Sequence, residues 1–140
     1  DTATDFEHRT FGDELQRCQR YYEKSFNQGV APAVGVLETG ADFNLGSIAY
    51  TSINSRTPVV KFSVSKRANP TVVQYHPQGY GTHGSNNKVA VYLSGSWQSP
   101  SSSTASLAHD QFFINVTVSS GFTAGNSYLT AVGWSADAEL

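Results

Sequence analysis

The chain has 140 residues, of which only 14% are charged, and its formal net charge is −2. This length is typical of one domain that is large enough to bury its own core. The nine basic residues are scattered and form no basic stripe, which argues against nucleic-acid binding. No apolar run reaches the roughly 18–20 residues of a membrane-spanning helix, so we expect no membrane insertion. A single cysteine excludes an intrachain disulfide and a thiolate zinc site.

The first ten residues, DTATDFEHRT, are polar and unpatterned, which is typical of a linker or a chain end. Residues 11–140 form the single predicted domain. The sequence starts at Asp1 and contains no methionine, so we expect a processed chain or a domain excised from a longer protein.

An amphipathic helix is predicted directly after this linker. Its apolar residues are spaced by four, three and four positions, which places them on one helical face: Phe11, Leu15, Cys18 and Tyr22. We expect this face to pack into the core, with Cys18 as a small buried apolar residue and not a nucleophile. Thr10 is the predicted N-cap. The alternation that begins at Tyr21 predicts a first strand reaching Phe26.

Short β-strands are predicted after the helix, separated by turns rich in Gly, Pro, Ser and Asn. The predicted strands are 46–53, 58–66, 70–76, 88–94, 111–119 and 127–140, and the two longest predicted loops are 77–87 and 95–110. The segment 58–66, PVVKFSVSK, has the cleanest alternation of apolar and polar residues. Six to eight strands of this kind predict an antiparallel sandwich or barrel.

Both ends of the chain carry a family resemblance. FEHRT followed by FGDELQRCQRYYEKSF resembles a recurring segment of bacteriophage and virus structural proteins, and GWSADAEL resembles the closing segment of the same domains. Between them, PVVKFSVSKRANPTVVQYHP is similar to their central block, so the resemblance extends from about residue 6 to residue 140. It implies the C-terminal domain of a tail fibre, tailspike or similar virion appendage.

The resemblance implies a fold, a partner set and a location. The implied fold is all-β: an antiparallel jelly-roll-like β-sandwich, similar to carbohydrate-binding modules, with one short N-terminal helix. The implied partners are two further copies in a homotrimer, and upstream fibre or spike domains of the same chain. The implied location is the virion, outside cells.

The sequence lacks the usual signatures of catalysis. It contains no Gly-x-Ser-x-Gly elbow, Walker loop or His-Glu-x-x-His motif. His109 could act as a catalytic base that Asp110 orients. The solvated start of a strand is the simpler interpretation, because no nucleophile motif accompanies them. After Asp42 the acidic residues are Asp110, Asp137 and Glu139, which disfavours a paired-carboxylate glycosidase. We therefore expect a protein that is not an enzyme.

Metal and cofactor sites are not predicted either. His76, His83 and His109 lack the spacing of zinc ligands. Asp137 and Glu139 share one strand face, but polar residues at the end of a packed strand explain them as well as calcium does.

The two long predicted loops carry the residues best suited to ligand binding. Aromatic faces beside Asn, Gln and Ser side chains suit a neutral sugar, which needs a flat apolar platform and hydrogen bonds to its hydroxyls. The candidate glycan-binding residues are Trp97, Tyr80, His83, Asn86, Asn87 and Gln98. The alternative is structural: Trp97 packs under its own serine-rich loop, and Tyr80 packs on a neighbouring strand.

The charged front segment is the candidate subunit contact, through Arg17, Arg20 and Tyr21. The predicted function is attachment of the virion to a host cell-surface glycan, by a domain that also closes the fibre trimer. The alternative is a purely structural trimerisation or capping domain that binds no ligand.

Overall fold

The computed structural model describes residues 10–35, 43–77 and 89–139, which contain one helix and ten strands. The helix is α1 (Phe11–Gln19). The strands are β1 (Tyr22–Lys24), β2 (Phe43–Ala49), β3 (Asn54–Arg56), β4 (Val60–Lys61), β5 (Thr71–Tyr75), β6 (Ala90–Leu93), β7 (Ser96–Gln98), β8 (Ser102–Leu107), β9 (Gln111–Thr117) and β10 (Ser127–Asp137). The predicted linker 1–10 lies outside these ranges, apart from Thr10.

The last strand, β10, takes part in two sheets. Its first half, Ser127 to Val132, pairs with β2 and also with β6. Its second half, Gly133 to Asp137, lies between β1 and β5, and we call these three strands the small sheet. The large sheet has the order β7–β6–β10–β2–β3–β9–β8. Strand β4 also pairs with β9, at residues of β9 that β3 does not pair with. All these pairings are antiparallel.

One core joins the two sheets. Phe112, Ile114 and Val116 are buried at alternate positions of β9, as the period of two predicts. The ring centroid of Trp134, in the small sheet, lies 5.1 Å from that of Phe112 and 5.8 Å from that of Phe62. The small sheet therefore packs against the large one. The predicted all-β, antiparallel, sandwich-like fold with one short N-terminal helix is confirmed.

The segment 58–66 differs from its prediction as one continuous strand. Only Val60 and Lys61 pair with β9. Beyond them the backbone bonds to the turn before β9: Phe62 N–H donates to Asp110 O at 3.0 Å, and Lys66 N–H donates to His109 O at 2.6 Å. The alternation still buries Phe62, but the chain follows a turn and not a strand.

The segment 95–110 is not the long loop that its composition predicts, because it contains β7 and β8. Ser94 and Gly95 have φ values of 53° and 83°, which close a two-residue hairpin between β6 and β7. All six residues of β8 pair with β9. Pairing with β9 thus overrides the weak strand propensity of a Ser-rich segment. The other predicted loop, 77–87, lies outside the described ranges apart from Pro77.

Helix α1 is confirmed, and its cap with it. The Thr10 hydroxyl accepts a hydrogen bond from Asp13 N–H at 3.3 Å, as an N-cap does. The helix ends at Gln19, so Tyr22 belongs to β1 and not to the helical face. Within the described ranges, no helix is long and apolar enough to cross a bilayer.

The predicted burial of the helical face is wrong. No residue of α1 is buried: Phe11 is 76% exposed, Leu15 is 43% exposed, and Cys18 is exposed as well. The physical reason is that the helix is held at its C-terminal end by polar contacts, which replace an apolar interface.

These contacts centre on Lys66, whose side chain has a relative exposure of 0%. Its ammonium donates to the carbonyl of Gln19, at the end of α1, at 2.5 Å and to Glu23 Oε2 at 2.6 Å. The Glu23 carboxylate also accepts from the backbone N–H and the hydroxyl of Ser63, at 3.1 and 2.8 Å. We call Glu23, Ser63 and Lys66 the clasp. It fixes the helix relative to both sheets.

Candidate ligand-binding groove

A groove of about 450 Å³ lies on one face of the small sheet. Its lining comes from the three strands, from the loop after β1 and from the chain end: Tyr22, Pro32, Tyr75, Ser135, Asp137 and Glu139, with Thr71 and Val73 along its floor. The groove combines two aromatic rings, several hydroxyls and two carboxylates.

Strand register places these side chains on the same face. Tyr22 lies opposite Asp137, and Asp137 lies opposite Thr71. Two residues earlier on β10, Ser135 lies opposite Val73. Directly opposed residues, and residues two apart on one strand, point to the same side of a sheet. The groove is therefore a consequence of pairing between the beginning, the middle and the end of the chain.

Hydroxyl groups of the lining lie close to one another. The Tyr75 hydroxyl lies 3.2 Å from the Ser135 hydroxyl, and Tyr22 lines the groove beside Ser135. Each hydroxyl can donate and accept. The cluster can therefore adapt to the hydroxyl groups of a ligand in either direction.

The Tyr22 phenol has a pKa above its ordinary value. Partial burial raises the pKa of Tyr22 above its ordinary value, and the neighbouring Tyr75 and Asp137 raise it further, while the hydrogen bond from Ser135 acts in the opposite direction. Tyr22 remains a hydrogen-bond donor at neutral pH.

Two carboxylates line the groove, those of Asp137 and Glu139. The backbone N–H of Glu139 donates to Asp137 Oδ1 at 2.8 Å, which orients the Asp137 carboxylate. Lys24 shares this face of β1 with Tyr22, but its ammonium donates to the carbonyl of Val30, within the loop after β1. In residues 10–35, 43–77 and 89–139, no group of three or more His, Cys, Asp or Glu side chains is arranged to hold a metal ion.

The loop after β1 forms a fixed wall of the groove. Ser25 N–H donates to Trp134 O at 2.9 Å, and Gly35 N–H donates to His76 O at 3.0 Å, so the segment 25–35 is hydrogen-bonded to the sheet region at its first and last residues. Between these hydrogen bonds, Phe26 is buried and meets the Tyr75 ring edge-on at 5.5 Å. Pro32 of this segment lines the groove.

Two of the sequence-predicted glycan residues, Trp97 and Gln98, lie on the large sheet and do not line the groove. Trp97 is half-buried in β7 of the large sheet, opposite Tyr92, and the two ring centroids are 5.4 Å apart. The Gln98 amide donates to the carbonyl of Leu93 at 3.1 Å, within the same hairpin. These contacts are internal to the hairpin. The sequence predicts Trp97 on a long loop, whereas the structure places it in strand β7. The other candidates, Tyr80, His83, Asn86 and Asn87, lie outside the described residues.

The candidate subunit residues surround the end of α1. Arg17 and Arg20 are exposed and line a shallow depression of about 270 Å³ beside Val64. The Tyr21 ring lies under the guanidinium of Arg67, at 5.6 Å. The three residues are at the surface and are not part of the groove.

Sequence reasoning missed the groove for a specific reason. Tyr22 was assigned to the helical face, and Tyr75 and Ser135 are ordinary residues of predicted strands. In the sequence, the two-residue spacing of Asp137 and Glu139 indicates that they share one face of a strand. It does not indicate which strands lie beside that face.

Comparison with known proteins identifies no relative: no family model, no curated protein and no solved structure matches this chain.

Proposed function

We propose that this chain is a non-enzymatic domain of a bacteriophage tail fibre or tailspike, which attaches the virion to a glycan of the host cell surface. The groove of the small sheet is the observation that carries the glycan-binding part of the proposal. The virion assignment, with its extracellular location and its upstream fibre or spike domains, rests on the resemblance of the two end segments.

The chemistry of the groove supports a sugar ligand. Aromatic rings such as Tyr22 and Tyr75 offer apolar surface to the C–H groups of a pyranose, and their hydroxyls offer hydrogen bonds to its hydroxyl groups. The anchored loop means that little order has to be gained on binding, which favours affinity. Its volume of about 450 Å³ lies within the range of roughly 300–1,000 Å³ for ligand pockets.

The position of the carboxylates favours binding over cleavage. Asp137 and Glu139 come from the same chain segment and line the groove. A glycosidase needs two carboxyl groups that flank the scissile bond. Asp137 and Glu139 follow each other at the end of one strand, and we propose that they serve as hydrogen-bond acceptors for a sugar.

Replacing Tyr22 by alanine is expected to weaken glycan binding by about tenfold or more, because a stacking surface and a hydroxyl are lost together. The domain is first applied to an array of neutral and acidic oligosaccharides, and the affinity for each hit is then measured by calorimetry. Tyr75→Phe, which keeps the ring and its contact with Phe26, is expected to weaken binding less than Tyr22→Ala.

Trp97→Ala is the matched control, since it removes an aromatic side chain from the large sheet. We expect it to leave glycan affinity unchanged. Binding that survives Tyr22→Ala but is lost in Trp97→Ala would place the site on the β6–β7 hairpin. An array without any hit would leave the structural alternative as the function.

The structural alternative, a domain that closes a homotrimer, is favoured by one observation. The ammonium of Lys66 bonds the end of α1, while Phe11 is 76% exposed and Leu15 is 43% exposed. Exposed apolar surface on a rigid element is typical of an interaction surface. A subunit contact through α1, with Arg17, Arg20 and Tyr21 at its margin, is compatible with glycan binding in the separate groove.

Leu15→Glu is expected to shift the chain from trimer to monomer, because it places a charge within the apolar face of α1. Analytical ultracentrifugation over micromolar concentrations measures the shift. Leu129→Glu is the control, since Leu129 is 52% exposed on β10 of the large sheet. A wild-type chain that is monomeric throughout this range would contradict the trimer.

A further inference from the structure

We infer that the groove of the small sheet selects neutral glycans over glycans that carry carboxylates, and that Asp137 is the residue that determines this selectivity. The inference rests on the proposed glycan-binding function of the groove, to which it adds the class of sugar.

The charged residues that line the groove are acidic. The charged side chains that line the groove are those of Asp137 and Glu139, and the lining formed by the described residues includes no lysine or arginine. Proteins that bind carboxylates use arginine or lysine for charge-assisted hydrogen bonds. The ammonium of Lys24, on the same face, is engaged by the carbonyl of Val30 and stabilises the loop. An acidic sugar would therefore meet negative charge without a partner.

The Asp137 carboxylate also favours ligands that donate hydrogen bonds. An ionised carboxylate only accepts hydrogen bonds. Asp137 Oδ1 accepts from Glu139 N–H, which fixes the carboxylate plane in the groove. A sugar hydroxyl placed there donates to Asp137, whereas a sugar carboxylate offers only acceptors. The same carboxylate thus attracts a neutral sugar and repels an acidic one.

The remaining polar groups of the groove carry no charge. The hydroxyls of Tyr75 and Ser135 lie 3.2 Å apart, and the phenol of Tyr22 lines the groove with them. A phenol is uncharged at neutral pH, and burial raises the pKa of Tyr22 further. These hydroxyls match those of a neutral sugar, and they do not compensate a carboxylate.

The test compares the wild-type domain with Asp137→Asn on two kinds of polysaccharide. Dextran, mannan and galactan are the neutral probes, and alginate and hyaluronate are the acidic ones. Asparagine keeps an oxygen that can accept from Glu139 N–H, so we expect the fold to be unchanged, which thermal unfolding verifies. Asp110→Asn, an exposed acid at the turn before β9, is the control with the same change in net charge.

Wild-type protein is expected to bind at least one neutral probe and to bind the acidic probes at least tenfold more weakly. Asp137→Asn is expected to weaken neutral binding by about tenfold and to reduce the discrimination against acidic probes, whereas Asp110→Asn changes neither. Because the neutral ligand carries no charge, its affinity is expected to be insensitive to added NaCl.

The outcomes separate this inference from the proposed function. Stronger binding of the acidic probes that still depends on Tyr22 would overturn the selectivity and leave glycan binding in the groove intact. Equal effects of Asp137→Asn and Asp110→Asn would overturn the role of Asp137. If no probe binds in a Tyr22-dependent way, glycan binding by the groove itself is contradicted.

Discussion

Replacing Lys66 by methionine is expected to lower the free energy of unfolding by about 3–5 kcal/mol, the usual cost of removing one partner from a buried ion pair. The Lys66 side chain is fully buried, and its ammonium is bound by the Gln19 carbonyl and the Glu23 carboxylate. The same ammonium lies 4.7 Å from the centre of the Phe62 ring. Methionine fills a similar volume but leaves Glu23 without its cation.

Urea unfolding of wild type and variant measures the loss. Lys61→Met is the control, because Lys61 is an exposed lysine in β4, and we expect it to change stability by less than about 0.5 kcal/mol. Combining Lys66→Met with Glu23→Gln is expected to recover part of the loss, because the unpaired charge is removed as well. If Lys66→Met costs no more than Lys61→Met, the clasp does not stabilise the domain.

The same variant tests how α1 is held. None of the helical residues is buried, and the helix end is held by hydrogen bonds, among them Lys66 ammonium to Gln19 O and Arg67 N–H to Arg20 O at 3.0 Å. We therefore expect faster amide hydrogen exchange in α1 of Lys66→Met than in the core strand β9. Unchanged exchange in α1 would show that other contacts hold the helix.

Trp134→Ala is expected to cost about 3–5 kcal/mol of stability, as large-to-small substitutions of buried aromatic residues do. Trp134 is 4% exposed and packs between Phe62 and Phe112, at the point where the two sheets meet. Its removal leaves a cavity in the core between the small sheet, which carries the groove, and the large sheet.

Trp97→Ala is again the matched control, since the chain has only two tryptophans and Trp97 is half-buried in a hairpin. We expect it to cost less than half as much. Trp134→Phe is a second informative variant: the Trp134 indole N–H has no hydrogen-bond partner among the described residues, so phenylalanine removes an unsatisfied polar group and keeps a ring. A Trp134→Ala cost similar to that of Trp97→Ala would contradict the assignment of Trp134 to the core.

The features that could be predicted from the sequence are those that depend on neighbouring residues. Helix α1 follows from apolar spacing and from Thr10, three residues before Asp13, because helical hydrogen bonds and caps join residues three or four apart. The alternation in β9 likewise follows from the two-residue period of a strand, which buries Phe112 and Ile114 on one side. Antiparallel pairing follows from many short strands with turns and no helices between them.

The errors concern partners that are distant in the sequence. The apolar face of α1 indicated burial, but the helix end is bonded by Lys66, 47 residues after Gln19, and the face stays exposed. The Ser-rich segment 95–110 indicated a loop, but β9 converts part of it into the strand β8. Local composition cannot specify either partner, since the free energy comes from contacts that form only on folding.

The groove shows most clearly the difference between features that depend on neighbouring residues and features that depend on distant ones. By itself, the sequence determined an all-β domain with one capped N-terminal helix, a weakly charged surface and a pair of acidic residues on one strand face at its end. Only the tertiary structure decided that Tyr22 and Asp137 lie opposite each other and that Tyr75 and Ser135 complete the site. The physical reason is that β-pairing can join any two segments of a chain, so a sheet face collects residues according to strand order and register, neither of which is encoded within a single strand.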